Sequence, residues 1–337
     1  MESKGLNVVG LDIGYSNLKV VAGNSNGEMR KMLRPAGAAP ADRFGTRFDG
    51  KSQDDFLNVL VDGIPFVAGV SSDRAEMWER SLHAEYSSTQ SYKALMYAGL
   101  LLSEMSEIDV LVTGLPVSQA LNADRCKQLE AQFVGTHQIT PKRSVKVKEV
   151  KVIPQPVGGL LDFMNQQETQ GHENDLEIDD DTRVLVVDPG FFSLDWVMVS
   201  DGQLIRQSSG TSFNASSVLL EQAAKFIAAD YGANPTTENL ENAIRNGKGS
   251  ILVMGQRIEL APYIEKASEL LADITITSIQ KSLRVEKTSP DIVVVPGGGA
   301  NFFLKAISEA FPRLKTVVPK ESVFSNATGF WLMGAAG

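Results

Sequence analysis

The sequence contains almost no cysteine or histidine and has no long apolar stretch. Cys126 is the only cysteine among 337 residues, which rules out an intramolecular disulfide and a secreted, disulfide-stapled scaffold. One thiol and three histidines do not supply a structural zinc site. No apolar run reaches the roughly 18 residues of a membrane span, and the N-terminus lacks a signal-peptide pattern. We therefore expect a cytoplasmic protein without a membrane segment.

Basic residues are also in deficit. The chain has 32 Lys and Arg against 41 Asp and Glu, a net charge of -9, and this balance disfavours direct binding to nucleic acid. The composition is otherwise that of a globular protein, with 43% hydrophobic and 22% charged residues. The length suggests two domains.

One pattern of strands and turns occurs twice in the chain. An apolar strand over residues 6–13 leads into an Asp-x-Gly turn and a second strand over residues 18–22. Residues 183–200 repeat the order, with a strand, an Asp-x-Gly turn at residues 188–193 and another strand. Because strands and helices alternate in both halves, the sequence predicts an α/β architecture that arose by internal duplication.

Shorter signals predict the elements around these repeats. Asp62-Gly63 is typical of a tight turn between two strands over residues 57–70. Helical spacing predicts one helix from just after Pro116 to about Phe133, and another over residues 262–283. The acidic, polar stretch 166–181 is interpreted as an exposed connection.

The first repeated turn has the residue types that bind an anion. Asp12 ends a strand, and Gly14 lets the backbone turn so that the following amides can point into a concave nest. Lys19 is expected to neutralise phosphate. The candidate ligand-binding residues of this turn are Asp12, Gly14, Tyr15, Ser16, Asn17 and Lys19.

The second repeated turn again has a carboxylate and a glycine two places later. Two such turns facing each other are expected to clamp a polyphosphate, while Asp12 and Asp188 hold a hydrated Mg²⁺. The sequence places few hydroxyls here, so backbone amides are expected to do more of the phosphate binding. The candidate residues are Asp188, Gly190, Phe191, Phe192 and Ser193.

Two further segments carry candidate functional residues. A predicted strand ending at Val295 runs into three glycines, which let a base or sugar approach the backbone closely; its candidate residues are Gly297, Gly298, Gly299, Ala300 and Asn301. Gln155 lies between two prolines that restrict its backbone. Its carboxamide is a candidate for orienting a water molecule towards a terminal phosphate.

Together these four segments resemble the nucleotide-binding core of the actin, sugar-kinase and heat-shock-chaperone superfamily, in the same order along the chain. Within it, Ser16-Asn17-Leu18-Lys19 is most similar to the plasmid-segregating bacterial actins of the ParM or StbA family. Phe191-Phe192 departs from that family, in which Gly and Thr are common.

The resemblance implies an actin-like two-domain ATPase fold, in which duplicated mixed-sheet domains flank a nucleotide cleft. The implied first domain covers residues 1–158, with a small subdomain at about 32–86 and the C-terminal helix 322–337 packed back on it. The implied second domain covers 159–321, with a small subdomain at about 212–262. Gly210 and Thr211 join the candidate nucleotide contacts.

The resemblance also implies function. It implies ATP and Mg²⁺ as cofactors, polymerisation into filaments, and hydrolysis that triggers disassembly, with Gln155 and Asp188 as catalytic residues. DNA would be reached through an adaptor of the ParR type. Two alternatives stay open: a non-hydrolysing actin-like scaffold, and a small-molecule kinase of the same superfamily with Asp109 or Asp124 as its base.

Overall fold

A computed structural model describes residues 5–44, 56–71, 86–170, 178–179, 181–191, 193–213, 216–245, 248–285 and 289–337. The chain divides into two compact units. The first unit consists of Met1–Asn174 and Val323–Gly337, and the second of Asp175–Ser322.

The first unit is built on a six-stranded mixed sheet, a three-stranded sheet and five helices within the described ranges. Its strands are β1 (Asn7–Ile13), β2 (Asn17–Asn24), β3 (Met29–Pro35), β4 (Gly37–Pro40), β5 (Leu57–Val61), β6 (Ile64–Val70), β7 (Glu107–Leu115), β8 (Gly135–Thr140) and β9 (Arg143–Pro154). Its helices are α1 (Gln90–Ser103), α2 (Val117–Ala120), α3 (Ala123–Phe133) and α4 (Gln155–Gln170), together with a helix formed by the end of the chain.

The second unit supplies the remaining strands and helices. Its strands are β10 (Val184–Pro189), β11 (Leu194–Ser200), β12 (Gln203–Leu204), β13 (Gly210–Ser212), β14 (Ser250–Val253), β15 (Gln256–Glu259), β16 (Ile292–Val294) and β17 (Lys315–Val317). Its helices are α5 (Ser216–Tyr231), α6 (Thr237–Arg245), α7 (Ala261–Val285) and α8 (Ala300–Ala310). The chain ends in α9 (Ser325–Ala335), which belongs to the first unit.

The larger sheets of the two units share one plan. The first sheet has the strand order β3-β2-β1-β7-β9-β8 and the second the order β12-β11-β10-β16-β17, with β13 beside β11. In each, the central strand is antiparallel to the hairpin strand that follows it and parallel to the strand on its other side. This shared order and direction supports the predicted duplication and places both Asp-x-Gly turns at the carboxyl ends of central strands.

Helices cover both faces of the first sheet. Because side chains alternate along a strand, Leu11 faces α1 while Val8 faces α9. The same alternation places Asp12 on the α9 side. Helices α4 and α9 cross with almost no space between their backbones, since a Cβ on Gly329 would lie 1.8 Å from the carbonyl oxygen of Gly158.

Several predicted elements are observed, and two predictions need correction. The Asp62-Gly63 turn joins β5 to β6, with positive φ at both residues. The single helix predicted to reach Phe133 is instead α2 and α3, because the Asn122 side chain caps α3 by accepting from the amides of Asp124 and Arg125. Helix α4 extends to Gln170, so the first part of the predicted exposed connection is helical.

The boundary between the two units, at Asn174 and Asp175, lies between the two repeats of the sequence. All of α4 lies in the first unit, and the domain boundary expected at residue 158 falls inside this helix. No helix in the part of the chain that the structure describes combines the length and apolar character needed to span a membrane.

Candidate functional site

The two Asp-x-Gly turns have the same internal hydrogen bond. In the first unit, the amide of Gly14 donates to the carbonyl oxygen of Asn17 at 3.0 Å; in the second, the amide of Gly190 donates to that of Ser193 at 2.8 Å. The strands after the turns pair back in the same register. The turns are therefore two copies of one backbone structure, each with an aspartate just before it.

In the first unit, Asp12 forms a buried ion pair. Lys19 lies directly opposite Asp12 on the neighbouring strand, and its Nζ donates to Asp12 Oδ2 at 2.8 Å. The side chains are only 1% exposed for Asp12 and 12% exposed for Lys19. The positive charge that the sequence suggested for phosphate is therefore already engaged by a carboxylate.

Gln155 completes this group. It is the first residue of α4, and its Nε2 donates to Asp12 Oδ1 at 3.0 Å. The bond from Nε2 to Asp12 fixes the orientation of the carboxamide, so that Oε1, its acceptor atom, points away from Asp12. Asp12 thus orients Gln155, and the residue between the two prolines lies at the N-terminus of a helix.

The neighbouring residues of the first turn brace it. Asn17 Nδ2 donates to Ser16 Oγ at 3.2 Å, and the carbonyl oxygen of Ser16 accepts from the amide of Ala36. Tyr15 stacks on Tyr86 with 4.5 Å between ring centroids and packs against the hydrophobic core. Of the candidates in this turn, Tyr15 therefore has a clear packing role.

Sequence reasoning missed Tyr92, which lies in the core of the first unit. Burial and, after it, the negative charge of Asp12 raise the pKa of Tyr92 above its ordinary value. The hydroxyl is therefore protonated near neutral pH. The helical spacing of apolar residues in α1 was the available signal for a buried position at Tyr92. Nothing in the sequence linked Tyr92 to Asp12.

In the second unit, Asp188 is followed by a second buried acid that sequence reasoning did not single out. Asp195 on β11 lies directly opposite Asp188 on β10, at the position that Lys19 occupies in the first turn. Asp188 is 6% exposed and Asp195 2% exposed. The equal spacing of residues 12–19 and 188–195 was the available signal for this pair.

The glycine motif packs directly on the second turn. A Cβ on Gly297, which has φ +88°, would lie 2.1 Å from Asp188 Oδ1, and one on Gly299 would lie 2.3 Å from the carbonyl oxygen of Pro189. The Gly299 amide also donates to that oxygen. These two glycines therefore accommodate the turn itself, while Gly298 is exposed.

Other described candidates of the second unit either pack against the core or are exposed. A Cβ on Gly210 would meet the Trp196 ring at 2.7 Å, and the Phe191 side chain packs against the core. Ala300 is buried at the start of α8, and Asn301 is exposed. Phe192 lies outside the described residues.

The carboxylates that the kinase alternative requires lie away from Asp12. Asp109 accepts from the Asn7 amide and from Lys148 Nζ at the opposite end of β1, about 16 Å away along the strand. Asp124 is exposed in the first turn of α3. Neither residue is positioned as a base beside the first turn.

Each turn, taken by itself, has a carboxylate of the kind that binds a hydrated magnesium ion. Mg²⁺ keeps several waters and takes one or two carboxylates along with substrate phosphates, and each unit has one buried carboxylate at the end of its central strand, Asp12 in the first and Asp188 in the second. Within the described ranges, no group of three His, Cys, Asp or Glu side chains is gathered as for a metal bound by protein ligands alone.

Comparison with known proteins defines the family. Residues 10–158 match a model of the N-terminal domain of actin-like proteins, and residues 186–309 match the C-terminal domain of archaeal MreB-like actin homologues. No sequence among the curated proteins matches the chain. The chain belongs to the actin-like proteins.

Solved structures with the same fold include archaeal and bacterial members. An archaeal actin homologue in complex with ADP has 20% identity and a TM-score of 0.76, covering 98% of this chain and 100% of its own. ParM from a 15-stranded Clostridium botulinum filament has 18% identity, a TM-score of 0.72 and coverage of 99% and 100%.

Bacillus thuringiensis ParM with AMPPNP has 14% identity, a TM-score of 0.65 and coverage of 99% of both chains. These likenesses and the family matches confirm the predicted actin-like two-domain fold. The resemblance to ParM-type actins is confirmed at the level of fold.

Proposed function

We propose that this protein is an actin-like ATPase that binds Mg-ATP through its two acidic turns and polymerises into filaments. The observation that carries the proposal is the group formed by Asp12, Lys19 and Gln155. Solved structures of similar proteins also support it: two of these proteins were solved with ADP or AMPPNP, and one is a ParM filament.

The proposed chemistry is mainly positioning. Asp12 holds the Gln155 amide so that Oε1 accepts a hydrogen bond from the attacking water, which turns the lone pair of that water towards the terminal phosphate. The Lys19 ammonium group pairs with the buried Asp12 carboxylate and holds it in place. Magnesium, when bound, supplies positive charge against the phosphate oxygens. Asp188 is the second carboxylate available to its water ligands.

Polymerisation and phosphate release after addition of Mg-ATP test this function together. Right-angle light scattering should rise first and fall as phosphate is released. If no polymer forms at any concentration, the filament proposal is wrong, while polymer without phosphate release would identify the non-hydrolysing scaffold. If Asp188→Ala hydrolysed ATP as fast as the parent, Asp188 would have no catalytic role.

Gln155→Ala separates hydrolysis from binding. We expect hydrolysis to slow by about 100-fold, because the water loses its orienting acceptor, while nucleotide binding persists and filaments last longer. Gln128→Ala, an exposed glutamine on α3, is the matched control and should behave like the parent. Equal hydrolysis by both variants would contradict the role of Gln155.

We further propose that the filaments segregate plasmid DNA through a DNA-binding adaptor of the ParR type, with hydrolysis triggering disassembly. The net charge of -9 predicts that the chain alone leaves the electrophoretic mobility of plasmid DNA unchanged, with or without ATP. A shift caused by the chain alone would contradict the need for an adaptor.

A further inference from the structure

We propose that Asp195 is a positioning residue that makes the second turn a binding surface for the water ligands of a divalent cation, rather than for phosphate oxygens. Asp195 does so by fixing the hydroxyl protons of Ser193 and Thr211. This inference rests on the proposed binding of Mg-ATP and assigns a specific task to the second turn.

The geometry involves three adjacent strands and the turn. Asp195 on β11 pairs with Asp188 on β10 on one side and with Thr211 on β13 on the other. Asp195 Oδ2 accepts from Ser193 Oγ at 2.6 Å, and Oδ1 accepts from Thr211 Oγ1 at 2.6 Å. Asp195 and Ser193 are buried, and Thr211 is half-buried.

The consequence follows from the hydrogen-bonding capacity of a hydroxyl. Ser and Thr each have one proton to donate and two lone pairs that accept, whereas an ionised carboxylate only accepts. Both hydroxyl protons therefore point to Asp195, in the short, charge-assisted bonds typical of carboxylates. Ser193 and Thr211 are left with acceptor lone pairs.

Acceptors discriminate between the two parts of Mg-ATP. Phosphate oxygens are acceptors too, so neither hydroxyl can bind them while its proton is held by Asp195. Water molecules on Mg²⁺ are donors, and Mg²⁺ keeps several of them when it binds to proteins. The hydroxyls are thus oriented to accept from this water shell, beside the Asp188 carboxylate.

The first turn offers the contrast. The position equivalent to Asp195 is Lys19, a donor that pairs with Asp12. The same backbone therefore presents a cation in one unit and a carboxylate with two oriented hydroxyls in the other. The expectation that Ser193 contacts phosphate is replaced by a contact to metal-bound water, and phosphate binding at this turn is left to the backbone.

Asp195→Asn tests the inference, because the amide nitrogen donates and forces one hydroxyl to turn its proton outward. Binding of a fluorescent ATP analogue is measured during a Mg²⁺ titration and again in excess EDTA. We expect the Mg²⁺ midpoint to rise by about tenfold or more, with metal-free nucleotide affinity unchanged or higher. Asp201→Asn removes the same charge from an exposed turn of the same unit and should leave both values unchanged.

A second pair of variants covers the case in which Asp195→Asn does not fold. Thr211→Val removes the hydroxyl and should raise the Mg²⁺ midpoint, whereas Thr211→Ser keeps it and should not. An unchanged midpoint in Thr211→Val, or an equal loss of affinity with and without Mg²⁺, would overturn the inference while leaving ATP hydrolysis by the parent intact. If the parent itself binds no nucleotide, the proposed function fails as well.

Discussion

Removing Lys19 should destabilise the first unit strongly, because it leaves the Asp12 carboxylate buried without its cation. The two groups lie 2.8 Å apart and are almost fully shielded from water. Breaking such a pair from one side costs about 3–5 kcal/mol, whereas removing both charges is often close to neutral. We therefore expect Lys19→Met to be much less stable than the Asp12→Asn/Lys19→Met double variant.

Hydrogen exchange of peptides from β1 and β2 measures this locally. A loss of 3–5 kcal/mol corresponds to exchange about 100- to 5,000-fold faster, and the double variant should recover at least about 2 kcal/mol of it. Peptides from β10 and β11 report on the second unit in the same experiment. Arg183→Met is the matched control, since Arg183 and Asp291 form an exposed pair worth at most about 1 kcal/mol.

The double-mutant cycle measures whether the Asp12 and Lys19 side chains are energetically coupled. If the effects of Asp12→Asn and Lys19→Met add to within about 0.5 kcal/mol, the two side chains are not coupled. The assignment of Lys19 to Asp12 would then be wrong, and Lys19 would again be a candidate for direct phosphate binding.

Three other substitutions test a glycine at the second turn, a helix crossing and a buried histidine. Gly297→Ala should lower stability by about 2–3 kcal/mol in thermal unfolding and weaken Mg-ATP binding, because its Cβ would displace Asp188. Gly329→Ala should cost about 2 kcal/mol in urea unfolding despite the better helix propensity of Ala, since α9 must move away from Gly158. Burial lowers the pKa of His137 below its ordinary value of 6.5, so its contribution to stability is full above that pH and is lost as the pH falls through the lowered pKa; His137→Gln should flatten this dependence, and an unchanged slope would contradict it.

Local turn chemistry made much of the fold predictable. Asp62-Gly63 suits a tight turn because both residues tolerate positive φ, and β5 and β6 meet there. The apolar central strands were equally clear from their sequence. The two Asp-x-Gly turns, the glycine motif and the Gln155 segment together carried the resemblance to actin-like proteins, which the family matches confirm.

Elements that depend on tertiary pairing were harder to predict. Strands β3 and β8 form the two edges of the first sheet, and their mixed polar sequences have no strong period of their own. The break between α2 and α3 depends on one capping side chain, Asn122. Residue propensities do not predict these features, because the edge strands depend on pairing with a neighbouring strand and the helix break depends on a capping side chain.

The sequence located the candidate site but not its hydrogen-bond network, and the network changes the chemistry. Lys19 and Asp195 occupy equivalent positions in a duplicated backbone, so each was visible as a charge near a turn. Their tasks depend on what lies around them. Lys19 faces Asp12 and forms an ion pair with it, whereas Asp195 faces Asp188 and accepts hydrogen bonds from two hydroxyls. The acceptor surface also needs the hydroxyls of Ser193 and Thr211, where the first unit has Asn17 and Leu33, so a few substitutions on one backbone turn a donor surface into an acceptor surface. Duplication thus let one turn specialise without any change in the fold that carries it.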